Sequence, residues 1–186
     1  MNVELLVAAS AEFERVVQEL PDESWHLPTP CEVDVHELVE HVVGGNRFAV
    51  AALSGVSAAE AWAIIRAQGF GPELEVVQES AAAQIAAFQA APEDQVVHHP
   101  NGDIPAEAFL RYRLVDLVVH AWDLLSAAQL PEMVDAQVTE GVWRVIEPRL
   151  SEMLAFGSYG DGPSGVVPSE APAQQKLLDA FGRRPV

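Results

Sequence analysis

The chain has 186 residues, 49% of them apolar, enough to pack a core unaided and too many for a disordered polymer. Its 28 acidic residues against 10 basic ones leave a net charge of −18, which repels phosphate backbones and anionic membranes, so neither is an expected partner. One cysteine, Cys31, excludes an internal disulfide and a multi-cysteine zinc finger.

The opening MNVELLVAASAEFERVV has no basic start and no long apolar run, which argues against a signal peptide. No window approaches the ~20 apolar residues that cross a bilayer, so a cytoplasmic protein is expected. Residues 2–20 place Leu5, Leu6, Ala9, Phe13, Val16, Val17 and Leu20 at helical spacing and stop at Pro21. The proline-rich PDESWHLPTPCEVD then reads as a connection. Asp34, with Glu37 three residues on, forms a capping box for a helix over roughly 35–53. Ser57 caps a shorter helix, AAEAWAIIRAQ, ending near Gly69. GPELEVVQESAAAQIAAFQAA predicts a long alanine-rich helix up to Pro92. DQVVHHPNGDIP is extended or turn-like, the one place for a short strand. A helix over 105–130 stops at Pro131, and another spans 132–155 despite Pro148. From about 157 the tail is rich in Gly, Pro and Ser and is expected to be irregular. The sum is an all-α fold: an antiparallel bundle of four long helices with short connecting helices, one domain over 1–186.

The stretch RLVDLVVHAWDL, residues 113–124, carries the sharpest signal. It is apolar except for Arg113, Asp116, His120 and Asp123, whose steps of three, four and three put them on one narrow stripe of a helix. Asp116 and His120 stand one turn apart, so both can aim at one point about 2 Å from each donor, the distance a first-row divalent metal needs. An isolated Asp-x-x-x-His is more often a solvated face. Here both flanks are apolar, which suits a polar seam inside a bundle, and a metal would satisfy both side chains at once. Arg113 and Asp123 extend the stripe and could orient the ligands.

A third ligand should come from another helix, and His41 is the best candidate. It sits among Leu38, Val39, Val42 and Val43, followed by Gly44 and Gly45. A mid-helix glycine costs about 1 kcal/mol against alanine, so the pair hints at close packing or at space kept open. His98 and His99 are neighbours in an extended stretch, so they point to opposite faces, and a surface turn explains them better. His26 and His36 lie near the ends of elements. Cys31 should stand some 10 Å along the helix axis from His41, which makes it a packing residue rather than a fourth ligand. The four tryptophans read as core.

Five ordered motifs, TPC, LVEHVVGGN, VVHHPNGDIP, RLVDLVVHAWDLL and APAQQKLLDAFGRRP, resemble an actinobacterial metal-binding family. It is related to the metal-binding domain of mycothiol-dependent maleylpyruvate isomerase, in the DinB-like superfamily. The resemblance covers nearly the whole chain. It implies a four-helix bundle holding a metal with two histidines and a carboxylate, here His41, His120 and Asp116. Two departures stand out. The loop from TPC to the His41 helix is shortened, and the carboxylate is Asp116 where the isomerase has glutamate. The isomerase's further C-terminal domain is expected to be missing here, so maleylpyruvate isomerisation itself is not carried over.

Three protein ligands leave open positions, the pattern of catalytic and not structural zinc. The resemblance implies a low-molecular-weight thiol, mycothiol or similar, and thiol transfer or thiol-assisted isomerisation of a small-molecule substrate. The alternative is a non-catalytic metal-binding helical module. Zinc is the first expectation and nickel the second, because calcium and magnesium prefer all-oxygen shells. No phosphate-binding glycine loop or nucleophile–base pair stands apart from this site. An apolar helix face could still pair with a copy of itself in a homodimer.

Overall fold

A computed structural model of the chain describes residues 1–68, 71–156 and 162–184. Four long helices form its frame: α1 (Val3–Glu19), α2 (Val35–Leu53), α4 (Leu74–Ala90) and α5 (Ala106–Ala127), with the shorter α3 (Ala58–Gln68) between α2 and α4. Packing runs α1 on α4, α4 on α2, α2 on α5 and α5 back on α1, so the four close into a ring around one core. The expected bundle of four long helices is therefore the observed fold. The buried row Leu6, Ala9, Phe13, Val16 and Val17 of α1 repeats at the helical period that the sequence shows.

Local signals set most boundaries. Asp34 accepts from the Glu37 amide while Glu37 reaches back to the Asp34 amide, a complete capping box that starts α2. Ser57 and Glu60 make the same exchange ahead of α3. The expected end of that helix near Gly69 lies outside the described residues. Helix α5 stops before Pro131 is reached: Gln129 takes a left-handed φ of 56°, and the Leu130 amide reaches back to the Leu125 carbonyl at 3.0 Å. That is a Schellman ending made without glycine.

The stretch between α4 and α5 folds into a small hairpin, β1 (Val96–His99) and β2 (Gly102–Pro105), paired antiparallel with His99 opposite Gly102. It leans on α2 and α5. The helix expected over 132–155 is instead broken. Asp135 caps α6 (Ala136–Ile146), a 3-10 turn covers Glu147–Arg149, and α7 (Leu150–Phe156) follows. Pro148 accounts for the break, since its ring removes an amide and clashes with the preceding turn. The expected start of the tail at about 157 falls among residues outside the description. Residues 162–172 are irregular, but Ala173–Ala180 form a further helix, α8, packed on α6. Among the described residues no helix is long and apolar enough to cross a membrane.

Candidate functional site

Helix α5 is buried nearly all round, and its polar stripe faces α2 across the bundle. Asp116 is the hub. Its Oδ1 stands 3.4 Å from His41 Nε2 and 3.2 Å from His120 Nε2, while Arg113 Nη1 donates to its Oδ2 at 2.5 Å. The His41 and His120 rings meet edge to face at 5.2 Å. One donor atom from each of His41, Asp116 and His120 lies within 4.8 Å of the other two. The three residues singled out from the sequence thus come together.

Arg113 is held from every side. Its Nε donates to Gln84 Oε1 at 3.2 Å and its Nη2 to Asn46 Oδ1 at 2.7 Å, and Asn46 in turn donates to Ser80 Oγ at 3.0 Å. Gly45 explains itself here. A Cβ built on it would stand 2.2 Å from Arg113 Nη1, so the missing side chain makes room for the guanidinium. Close packing, one of the two options raised by the glycine pair, is what Gly45 provides.

The far edge of His120 is anchored separately. Its Nδ1–H donates to Asp123 Oδ2 at 2.9 Å, and Arg183 clamps both Asp123 oxygens, Nε to Oδ1 at 3.0 Å and Nη2 to Oδ2 at 2.6 Å. Cys31 belongs to this edge. Its sulfur, a His120 ring nitrogen and an Asp123 oxygen lie within 4.8 Å of one another, and Thr29 Oγ1 is 3.1 Å from the sulfur. Cys31 is therefore more than the packing residue that distance along the helix suggested.

These contacts set the charges. Burial pushes the Asp116 carboxyl up, but the positive charges of Arg113 and His120 outweigh it and hold the group well below the usual carboxylate range. For His120, burial disfavours the cation; Asp116 and the bond to Asp123 overcome this and raise it well above an ordinary imidazole. Asp123 is fully buried, yet its bonds to His120 and Arg183 keep it below the ordinary value.

A cavity of about 240 Å³ opens beside this cluster, with His41, Asp116 and Arg113 in its lining. Phe48, Trp62, His99, Phe109, Tyr112 and Phe156 supply its aromatic wall. Sequence reasoning missed most of this wall. Trp62 is not core but 37% exposed at the cavity, and His99 is half-buried among rings, with Phe156 at 5.2 Å. Burial lowers the His99 pKa and keeps it neutral near pH 7. Of the two neighbours His98 alone turns outward, its side chain 44% exposed and paired with Asp103 at 2.8 Å. The alternation of faces in β1 was the available signal.

The donor set fits a first-row divalent ion. Separations of 3.4 and 3.2 Å match the ~3.4 Å edge of a tetrahedron with ~2.1 Å arms. Two imidazoles and one carboxylate are also ligands such ions accept.

Comparison with known proteins adds sequence and structural likeness. Residues 6–125 match the family described as mycothiol maleylpyruvate isomerase N-terminal domain. An uncharacterized protein of Mycobacterium tuberculosis, found in strains H37Rv and CDC 1551, is 34% identical over 169 residues, covering 84% of this chain and 83% of its own. The crystal structure of the mycothiol-dependent maleylpyruvate isomerase superposes with a TM-score of 0.64 at 15% identity. A histidine-to-alanine mutant of it gives 0.66 at 16%. Both alignments cover 98% of this chain and 88% of the other.

Proposed function

This chain belongs to the mycothiol maleylpyruvate isomerase N-terminal domain family, and from that premise we propose that it is a metal-dependent enzyme using a low-molecular-weight thiol of the mycothiol type. The reaction is transfer of that thiol to a small molecule, or isomerisation assisted by it. One observation carries the reading: the donors of His41, Asp116 and His120 converge within 4.8 Å, and two of the three residues line a cavity. His41, Asp116 and His120 would hold the metal, zinc first and nickel second. When bound, it would supply Lewis acidity that lowers the pKa of a thiol near neutral pH.

The chain's own residues do the rest. Arg113 occupies Asp116 Oδ2 and leaves Oδ1 turned toward the two imidazoles. Asp123 fixes the proton of His120 on Nδ1, which presents the Nε2 lone pair to the site once the second proton leaves. His41 is 57% exposed, so the front of the cluster is reachable by a thiol from solvent.

Elemental analysis and a thiol-consumption assay, with and without chelator, test the proposal. His41→Ala or His120→Ala should abolish stoichiometric metal binding, and His98→Ala should leave it intact. If His98→Ala removes the metal and His41→Ala does not, the ligand set is wrong. Bound metal with no thiol consumption across a broad acceptor panel would make this a non-catalytic metal-binding module.

A further inference from the structure

Besides His41 the cavity has a second histidine in its lining, His99, which comes from the hairpin. In β1 Val97 is fully buried, so alternation turns His99, two residues on, to the same inward side. Its ring is wedged among four others, with centroids 6.1 Å from Phe48, 6.0 Å from Phe109, 6.3 Å from Tyr112 and 5.2 Å from Phe156. Those rings belong to α2, α5 and α7, so three helices hold the imidazole in one orientation.

The proton on that ring has a defined place. The Asn101 amide donates to His99 Nδ1 at 3.2 Å, which makes Nδ1 the acceptor. Burial keeps the ring neutral near pH 7, so its one proton sits on Nε2. Nε2 has no hydrogen-bond partner among the described residues, yet it is not one of the unpartnered atoms shut away from solvent. A ligand in the cavity can therefore reach it. Other nitrogen donors of the lining are already committed. Each nitrogen of Arg113 donates, to Gln84, Asp116 and Asn46 in turn, and Asn101 gives its side-chain amide to the Phe156 carbonyl. His41 belongs to the metal cluster.

We propose, resting on the thiol-dependent reading above, that His99 is the hydrogen-bond donor for the molecule that accepts the thiol, its Nε2–H received by that acceptor's carbonyl oxygen. When the sulfur bonds to the β-carbon of a conjugated ketone, the C=C electrons move to the carbonyl oxygen as an enolate. A donor already in place stabilises that charge without reorganisation. The α-carbon then takes the proton that the thiol released, and the imidazole keeps its own.

Cyclohexanone and methylenecyclohexane test this, since they share one shape and only the ketone accepts a hydrogen bond. Ligand-detected NMR on metal-free protein measures both. His99→Phe keeps an aromatic ring in the cluster and removes the donor. The ketone should bind this variant about two- to ten-fold more weakly than the unsubstituted protein, the worth of one hydrogen bond. The hydrocarbon should bind it as before or more tightly. Imidazole nitrogen shifts of the unsubstituted protein should place the His99 proton on Nε2, and only the ketone should move that resonance. An unweakened ketone, an equal loss for both ligands, or a proton on Nδ1 overturns the proposal. Zinc-loaded protein with mycothiol and cyclohexenone then separates the two ideas by mass spectrometry of the adduct. In His99→Phe kcat should fall about 100-fold, more than binding does, because the charge on oxygen builds only in the transition state. Selective loss of the ketone, with no adduct formed by the unsubstituted protein, sinks the thiol reading and leaves the donor standing. Adduct formed equally fast by His99→Phe sinks the donor alone.

Discussion

Two arginine–aspartate pairs bracket His120 on α5, and they draw on very different lengths of chain. Arg113 and Asp116 are three residues apart on one helix. Arg183 reaches Asp123 from sixty residues downstream, beyond α8. The near pair is set in a bed from α2 and α4, through Asn46, Gln84 and Ser80. Its Asp116 oxygen faces His41 and the cavity. The far pair lies outside the cavity lining, with Asp123 fully buried. One pair builds the front of the site, and the other fixes the back of His120 while fastening the C-terminal segment to the bundle.

If that division holds, removing the two arginines should hurt in different currencies. Arg113→Ala leaves Asn46 and Gln84 without their partner in the bundle interior and Asp116 without its counter-charge. A loss of about 3–5 kcal/mol in urea unfolding is expected. Arg183→Ala should cost less in the same measurement, because Asp123 keeps its bond to His120. Equal losses would break the distinction between an interior pair and a fastening.

The second test reads metal affinity rather than folding. Asp123 holds the His120 ring, and a partner in that position is worth about 10- to 100-fold in metal affinity. Arg183→Gln loosens Asp123 and should weaken zinc binding by an amount toward the lower end of that range; Asp123→Asn should approach the upper end. Competition against a chromophoric chelator reads both. Unchanged affinity in Arg183→Gln, with only a lower melting temperature, would reduce the clamp to a tail fastening.

The same contrast explains what the sequence could reveal. Asp116, His120 and their flanks Arg113 and Asp123 were legible because helix geometry is local: steps of three and four suffice to align them. His41, seventy-five residues from Asp116, needed its apolar surroundings and the family motif. Arg183 lies in the motif APAQQKLLDAFGRRP, but two arginines in a terminal segment have no period to betray a partner. The aromatic wall was hidden for a related reason. Phe48, Trp62, Tyr112 and Phe156 lie on four helices, and each alone reads as core. Pro148 is a different case, because its signal was present and the helical pattern around it was given too much weight.

The smallest expected effect is a pH slope, and it follows from the charges around His120. Burial opposes its cation, but Asp116 and Asp123 raise its pKa well above the ordinary imidazole in the metal-free protein. A raised histidine contributes stability that is complete below the unfolded value of about 6.5 and fades as pH climbs through the folded one. Asp116 and Asp123 act with the opposite sign. Lowered by their partners, they contribute stability above about 3.9 that is lost as pH falls through their folded values. The metal-free protein should therefore be most stable between about pH 4 and 6.5 and weaken toward alkali. Metal affinity should move the other way, because His120 Nε2 must shed its proton to become a ligand. One proton displaced gives up to ten-fold tighter binding per pH unit above about 6.5, or about 1.4 kcal/mol. In Asp123→Asn the main support, Asp116, is still present, so absolute affinity should drop while most of the slope remains. Chelator competition at pH 6.5, 7.5 and 8.5 measures it, and a flat line for the unsubstituted protein would remove His120 from the ligand set or its charge from the free state.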